Sequence, residues 1–381
     1  PVPPKGSSMR RPLALTSAVC LLALTACTGT SGGSGGEPGA GEELAEEGLS
    51  GLALLHRGFE GGDPETDQVL VFHDPATGQP LQRIALPDGA VDPMARDLAV
   101  HAQFSADWTH FAYVTEEPDA VQVAVLTDPQ ESGAEEVSYQ QIESVPASEG
   151  EVLSRPAING DRLWFVSDTP QDGVPPQVLS VPLEAPTGTP NQEGSLLIGE
   201  NQRPSDWALT PDGALHIRNS VQTRQSSSVD GGTLVVRETA DSVVNATLNA
   251  DGGRWQTFDN SPVWGGGTAL LRPDAPAGGG EPPAGAYLVT MEEQGHTATR
   301  LLEGGDGPVV QYAPSPERDA VLLQTGGSWH RVDLAEGGPG EAEELFPRFH
   351  DSSMDGWPLA VRWVTEPAAA DPSASPGAGG G

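Results

Sequence analysis

The fold is decided by the segment Phe104-Ser-Ala-Asp107-Trp-Thr-His-Phe111-Ala-Tyr113. It places an apolar residue, a small residue and an acid before a run in which apolar side chains alternate. An acid at such a point favours a tight turn, and alternation favours a half-buried strand. The segment therefore predicts a β-hairpin with Asp107 in its turn, where the carboxylate accepts backbone N–H groups.

The same pattern recurs along the chain. Related segments cover residues 158–165, 209–217 and 248–255, with looser versions at 314–323 and 353–361. Their acids are Asp161, Asp212, Asp251, Glu317 and Asp355, and the successive steps from Asp107 are 54, 51, 39, 66 and 38 residues. We interpret the first three of these acids, like Asp107, as turn residues.

The repeat predicts a ring of sheets. A period of about 40 to 50 residues is typical of four-stranded units, and one such sheet cannot cover both of its faces. Stacking the units around an axis covers them, which makes a β-propeller the predicted fold. Six markers favour six blades, and seven follow if the long step from Asp251 to Glu317 contains one more. A two-sheet β-sandwich or two small β domains is the alternative architecture.

Short strands dominate the rest of residues 51–365. No stretch keeps apolar residues at helical spacing over a dozen positions, and 48 glycines and 36 prolines interrupt the chain, so the sequence predicts an all-β domain. Strand-like segments rich in β-branched or aromatic residues cover 68–72, 121–126, 163–166, 233–236 and 286–289. If residues 358–364 pair with amino-terminal strands near 52–56, 68–73 and 81–86, the ring closes.

Two groups of residues resemble a known family. The 104–114 and 209–217 segments resemble the inner-hairpin motif of TolB-like and WD40-like propellers. The run Val69-Leu-Val-Phe-His-Asp74-Pro-Ala-Thr77-Gly78 resembles the third strand and exit turn of such blades. The resemblance implies a propeller domain, which can serve either binding or catalysis.

The amino-terminal region has the organisation of an export signal. Arg10 and Arg11 follow Met9, and the 13 residues from Pro12 to Leu24 are largely apolar, too few for a stable membrane span. The sequence Leu24-Thr-Ala-Cys27 resembles the lipobox of bacterial lipoproteins. That resemblance implies a signal peptide ending at residue 26 and lipidation of Cys27, which would hold the protein on the outer face of the cell membrane. A chance cysteine beside an ordinary cleavage site is the alternative.

Composition separates the ends from the domain. Residues 27–50 read as the lipidated cysteine followed by a flexible, acidic Gly/Ser-rich tether, and residues 366–381 as a disordered tail. Loss of residues 1–26 removes three of the 19 basic residues and none of the 54 acids, so the mature chain carries a formal charge of −38. Such a charge repels phosphate backbones, so we expect no nucleic-acid partner.

Candidate catalytic or metal-binding residues are few. The Gly32–Gly36 match to GxSxG lies in the predicted tether and is interpreted as chance. Cys20 and Cys27 are the only cysteines, so neither a disulfide in the mature chain nor a cysteine zinc site is expected. Eight histidines are scattered without HxH or HxxxH spacing, and a metal site would require some of them to meet at the ring centre: His56, His73, His101, His110, His216, His296, His330 and His350.

Two further groups have ordinary structural interpretations. The loop Asp63-Pro-Glu65-Thr-Asp67 could attract calcium, but it lacks the glycine and terminal glutamate of an EF-hand, so we interpret it as a solvated charged loop. Trp164 and Trp255 lie at strand positions, where packing between blades is the default interpretation.

Function is therefore predicted in two alternatives. The favoured one is a non-catalytic binding or scaffolding module for an envelope protein or a small extracellular ligand, with no cofactor and no catalytic residue assigned. The other is a hydrolase or lactonase-type enzyme with its site in the central channel.

Overall fold

The computed structural model describes residues 49–95, 100–116, 119–128, 136–169, 174, 176–195, 207–209, 214–217, 226–230, 233–237, 255–256, 258, 264, 268–273, 285–292, 295–303, 308–335 and 337–364. Over these residues the chain is β-strand with two single-turn 3-10 helices, Phe59–Gly61 and Val100–Ala102. The described part has no helix that combines the length and the apolar character needed to cross a membrane. The predicted all-β class is confirmed.

The first sheet contains both the first and the last strand. Its order is β24-β1-β2-β3-β6-β5-β4. The bounds are β24 Leu359–Val364, β1 Gly51–Arg57, β2 Gln68–His73, β3 Pro80–Ala85, β4 His110–Glu116, β5 Asp119–Thr127 and β6 Ser138–Pro146. Neighbouring strands are antiparallel, except that one parallel pairing of Ala85 with Ser138 joins β3 to β6. The predicted closing strand is thus confirmed, because β24 pairs with β1.

Four further sheets follow in chain order. They are β7-β8-β9-β10, β11-β12-β13-β14, β15-β16-β17-β18 and a sheet of β19 to β23. Their bounds are β7 Val152–Asn159, β8 Arg162–Asp168, β9 Gln177–Pro182, β10 Asn191–Ser195, β11 Trp207–Leu209, β12 Ala214–Ile217, β13 Ser226–Asp230, β14 Thr233–Arg237, β15 Trp255–Gln256, β16 Thr268–Pro273, β17 Gly285–Glu292, β18 Gly295–Glu303, β19 Gln311–Pro314, β20 Ala320–Gln324, β21 Ser328–Ala335, β22 Gly338–Pro339 and β23 Glu343–Pro347. Antiparallel pairing of consecutive strands is the organisation of propeller blades.

Among the described residues, buried clusters join three pairs of neighbouring sheets. Apolar residues of β4 and β5 pack against β7, β8 and β9, and those of β16 to β18 pack against β19 to β21. A third cluster joins β1 and β24 to β20, β21 and β23, so the last sheet packs on the first. The sheets cover one another's faces in this way, and the domain is a β-propeller. The choice between six and seven blades stays a prediction.

Two of the repeat turns have the same geometry. In each, a serine N–H donates to a carbonyl five residues later at 2.9 Å, and the serine Oγ accepts the N–H of that later residue: Ser105 with His110 and Ser315 with Ala320. The residue three places after the serine has a positive φ, 66° at Trp108 and 58° at Arg318. The internal repeat is therefore present in the backbone, although the two sequences share little.

The predicted turn acids have different outcomes. The Asp107 carboxylate accepts the N–H of Thr109 at 3.1 Å, as predicted. Asp161 lies in the tight turn between β7 and β8, where Gly160 has φ 58°. In the 314–323 copy Ser315 Oγ donates to Asp319 and not to the marker Glu317. Asp212 and Asp251 lie outside the described residues.

Asp355 was wrong as a hairpin marker. It lies in the loop between β23 and β24, and these two strands do not pair with each other. The physical reason is the closure itself: β24 has its partner in β1, near the other end of the chain, so no hairpin is needed before it. Asp355 instead lies 3.9 Å from the Arg57 guanidinium.

Candidate functional site

Three loops at one end of the first sheet form a continuous surface, which we call the three-loop surface. The loops cover residues 58–67, 86–95 and 348–358. The Gly89 N–H donates to the Glu65 carbonyl at 2.7 Å, and the Met354 N–H donates to the Pro93 carbonyl at 3.2 Å. The second of these backbone bonds joins segments near the two ends of the domain, so the complete surface exists only in the closed propeller.

A buried arginine holds two of these loops. Arg57, at the end of β1, is fully buried, and its guanidinium donates to the carbonyls of Ala95 at 2.6 Å and Trp357 at 3.4 Å. Its backbone N–H donates to the Asp351 carboxylate at 3.2 Å. Burial lowers the pKa of Arg57, and the carboxylates of Asp351, Asp355 and Asp92 act in the opposite direction.

A buried glutamine fixes the other pair of loops. The Gln68 side chain, at the start of β2, donates to the carbonyls of Val91 at 2.6 Å and Pro64 at 2.8 Å. Its Oε1 accepts the Val91 N–H at 2.9 Å. The Gln68 side-chain amide thus makes the same two hydrogen bonds with the Val91 backbone that a neighbouring strand would make. Through its further bond to Pro64 it links loop 86–95 to loop 58–67. Buried bonds of this kind make the backbone of the surface rigid.

The three-loop surface exposes apolar side chains. Met94 is 60% exposed and Met354 is 51% exposed, although the backbones of these two loops are hydrogen-bonded. Trp357 is partly exposed, and the Arg348 guanidinium lies 5.1 Å from its ring centroid. Methionine, tryptophan and arginine are residue types enriched in protein interfaces.

The surrounding acids serve as turn acceptors. Asp67 Oδ2 accepts the Asp63 N–H at 2.7 Å, and Asp63 Oδ1 accepts the Glu65 N–H at 2.9 Å. Across the described ranges, no group of three His, Cys, Asp or Glu side chains is placed to hold a metal ion. The geometry of this loop agrees with its interpretation as a solvated charged loop, because its carboxylates are bonded to backbone N–H groups.

A buried histidine pair lies behind two of the loops. His56 Nε2 and His73 Nε2 are 3.3 Å apart, and His73 Nδ1 lies 3.0 Å from the Gly78 carbonyl oxygen. Because a carbonyl only accepts, His73 Nδ1 carries a proton, and His56 Nε2 is then the donor within a neutral pair. Phe349 stacks on the His73 ring at 4.2 Å, and Phe59 meets the His56 ring edge-on at 4.7 Å.

The pair resists protonation. Burial, with the positive charges of His73 and Arg83, lowers the pKa of His56 to about 3, and burial also lowers the pKa of His73. The unfolded chain binds protons near pH 6.5, so the neutral pair stabilises the fold above that pH and the stabilisation is lost as pH falls. We expect the free energy of unfolding to fall between pH 6.5 and pH 5 by about 2 kcal/mol from His56, with a further fall in the same direction from His73.

Chemical unfolding at several pH values measures this slope. His56→Phe removes one titrating ring from an apolar environment and should remove the part of the slope that His56 contributes, about 2 kcal/mol over this pH range. His350→Phe, at an exposed position, serves as the matched control and should leave the slope unchanged. A slope in His56→Phe that is as steep as in the parent chain would contradict the assignment to the pair.

Polar side chains of β24 and β19 are used in closure. Arg362 of β24 donates to the carbonyls of Ser105 at 2.8 Å and His101 at 2.9 Å, and its guanidinium lies 4.8 Å from the Trp108 ring centroid. Gln311 of β19 donates to the Pro358 carbonyl at 2.8 Å, and its Oε1 accepts the Ala360 N–H at 2.8 Å. These contacts place polar residues between strands as structural links.

The other residues considered from sequence are dispersed. His101 is buried, His110 is partly exposed, and His330 contacts the Ser328 hydroxyl at 3.0 Å. Trp164 is buried in β8 and Trp255 lies in β15, and their packing between blades stays a prediction. Residues outside those whose side chains the structure describes are Cys20, Cys27, Gly32–Gly36, His216 and His296. Sequence reasoning missed Arg57, Gln68 and Arg362, whose only signal was a polar residue at the end of, or within, an apolar strand.

No family model matches the sequence, and no curated protein matches it. Among solved structures, a putative 6-phosphogluconolactonase from Bacteroides uniformis is similar at 13% identity and a TM-score of 0.37, covering 83% of this chain and 98% of that chain. AztD from Citrobacter koseri has 13% identity and a TM-score of 0.32, covering 78% of this chain and 71% of that one. A functionally unknown protein from Desulfotomaculum acetoxidans has 10% identity and a TM-score of 0.39, covering 82% and 84%.

Proposed function

We propose that this chain is a lipid-anchored, extracytoplasmic binding module whose propeller presents the three-loop surface to a protein partner. The observation that carries the proposal is the exposure of Met94 and Met354 on loops whose backbones are fixed by Arg57. Exposed apolar groups on a rigid, otherwise polar surface favour docking, because little conformational entropy is lost when a partner binds.

The anchor complements this role. Lipidation of Cys27 would place the residues from 28 to 48, which the sequence predicts to be a tether, between membrane and propeller, while Leu49 of the predicted 27–50 segment is buried in the core. A Gly-rich segment of this length has a root-mean-square end-to-end distance of roughly 25 Å. The propeller could then search a shell near the membrane for partners fixed in the envelope.

Lipidation makes a direct prediction about Cys27. In cells, Cys27→Ala should release the protein into the soluble fraction or leave the signal uncleaved, because no thiol is available for the lipid. Membrane fractionation and the mass of the mature amino terminus measure this. Cys20→Ala, within the predicted signal, is the control and should remain membrane-bound. Unchanged retention of Cys27→Ala would contradict lipidation at that residue.

The binding role is tested by site-specific photo-crosslinking. A photoreactive residue is placed in turn at the exposed apolar positions Leu81, Met94, Ile142, Val152, Val174 and Met354 of the membrane-anchored chain. A discrete protein adduct from any of them supports a binding module. Absence of adducts from all six, with turnover of a substrate by the purified protein, would overturn the proposal.

The hydrolase or lactonase alternative stays a prediction from the sequence. It requires a catalytic group in the central channel. Hydrolysis of lactone substrates by the purified chain is the assay that would favour it.

A further inference from the structure

We infer that the three-loop surface binds a positively charged protein segment that lays an apolar side chain across Met94 and Met354. The inference rests on the proposed binding function and names the chemistry of its partner. It depends on three observations, which concern local charge, the occupants that this charge excludes, and the geometry of the loops.

The charge of the surface is strongly negative. Its exposed side chains include six acids: Glu60, Asp63, Glu65, Asp67, Asp88 and Asp92. Among the described residues, the arginine within these loops is Arg348, which lies over the Trp357 ring. Beside the loops, Arg57 of β1 is fully buried, and the guanidinium of Arg83 of β3 lies 4.3 Å from the Phe59 ring centroid, so the exposed acids outnumber the exposed arginines. A surplus of one sign of charge around an apolar centre attracts a partner of the opposite sign and raises its association rate.

The same charge excludes several other occupants. A second copy of the chain would bring a like-charged surface into contact. Residues 28–50 hold five acids and no basic residue, and residues 366–381 hold two acids and no basic residue, so the chain's own ends are repelled as well. Anionic lipid headgroups are disfavoured on the same ground. A basic protein segment remains.

The geometry suits a peptide better than a small cation. Asp63, Asp67, Asp92 and Asp351 each use a carboxylate oxygen to accept a backbone N–H of their own loops. Carboxylate oxygens that already accept a backbone N–H are poorly placed to coordinate a small cation directly. Their negative charge still attracts the lysine and arginine side chains of a basic segment, which follow one another at intervals along the peptide. Between them, Met94 and Met354 offer flexible thioethers that adapt to different apolar partners.

Binding of a defined probe tests this chemistry. The probe is a 14-residue peptide of alternating lysine and leucine, compared with its glutamate and leucine counterpart by fluorescence anisotropy on the full chain. We expect the cationic peptide to bind with an affinity that falls as salt rises, and the anionic peptide not to bind. Equal binding of the two peptides would overturn the inference.

Matched variants locate the site. Met94→Ser/Met354→Ser and, separately, Glu65→Gln/Asp88→Asn should each weaken binding of the cationic peptide by about ten-fold. The apolar control is Ile142→Ser/Val152→Ser, at positions 49% and 48% exposed, and the charge control is Glu143→Gln/Glu149→Gln. Both controls should stay within about two-fold of the parent chain. If the control variants lose as much affinity for the cationic peptide as the test variants do, the peptide binds the acidic chain without preference for this surface, and the inference is overturned.

The crosslinking experiment separates this inference from the function on which it rests. Adducts from Met94 that are lost in Glu65→Gln/Asp88→Asn support both. Adducts that persist unchanged in that variant, or that form only from Ile142 or Val152, keep the binding function and overturn the cationic partner at this surface.

Discussion

Replacing Arg362 by methionine is expected to lower the free energy of unfolding by about 3 kcal/mol. The Arg362 guanidinium donates to the carbonyls of His101, Phe104 and Ser105, and it comes from a strand more than 250 residues later in the chain. Methionine keeps much of the side-chain volume but leaves three carbonyls without this donor, and each such loss costs about 1 kcal/mol or more. Burial lowers the pKa of Arg362 to about 10, so the group is charged at neutral pH.

Chemical and thermal unfolding measure the effect, which corresponds to a fall in Tm of about 5 to 10 °C. Arg331→Met is the matched control. Its guanidinium also lies over a tryptophan, 5.4 Å from the Trp363 centroid, but its side chain is 42% exposed and bonds Asp333 on the surface. We expect a loss below about 1 kcal/mol there. If the free energy of unfolding falls equally in the two variants, the hydrogen bonds from Arg362 to the three carbonyls add no stability beyond that of a surface arginine.

Ending the chain at Pro358 is expected to abolish the cooperative fold. This removes β24, in which Leu359, Ala360 and Val361 are fully buried and Trp363 is 7% exposed. Loss of that burial costs roughly 8 kcal/mol, which is comparable with the net stability of a typical domain. It also leaves β1 as an unpaired edge, which invites association with other chains.

Circular dichroism and size-exclusion chromatography report the outcome. A chain ending at Thr365 is the control, since it keeps β24 and lacks only the predicted tail, and it should unfold like the full-length protein. A folded, monomeric chain ending at Pro358 would contradict closure of the propeller through the β24 and β1 pairing.

Strand positions could be predicted from sequence because their signal is local. The segments 68–72, 121–126, 163–166, 233–236 and 286–289 all lie within observed strands, since alternation and β-branched side chains report directly on a pleated, half-buried strand. The Asp74 exit turn is local too: its Oδ1 accepts the N–H groups of Ala76 and Thr77, and Gly78 has φ 72°.

The candidate surface could not be predicted in the same way. The partners of Arg57 lie far from it in sequence, with Ala95 at a separation of 38 residues and Trp357 at 300. A periodic pattern of apolar residues does not predict such distant hydrogen bonds. His56 and His73 lie 17 positions apart on antiparallel strands, so their contact depends on strand register and side-chain direction together. Asp355 was misassigned for a related reason. Its loop leads into β24, which pairs with β1 from the other end of the chain and not with the strand that precedes the loop.

Amide hydrogen exchange of the full chain, with and without the cationic lysine and leucine peptide, locates the surface that the peptide contacts. We expect added protection only in residues 58–67, 86–95 and 348–358, with exchange in the strands beyond the first sheet unaltered. Protection centred on another part of the propeller, or none in these three loops at saturating peptide, would contradict this expectation.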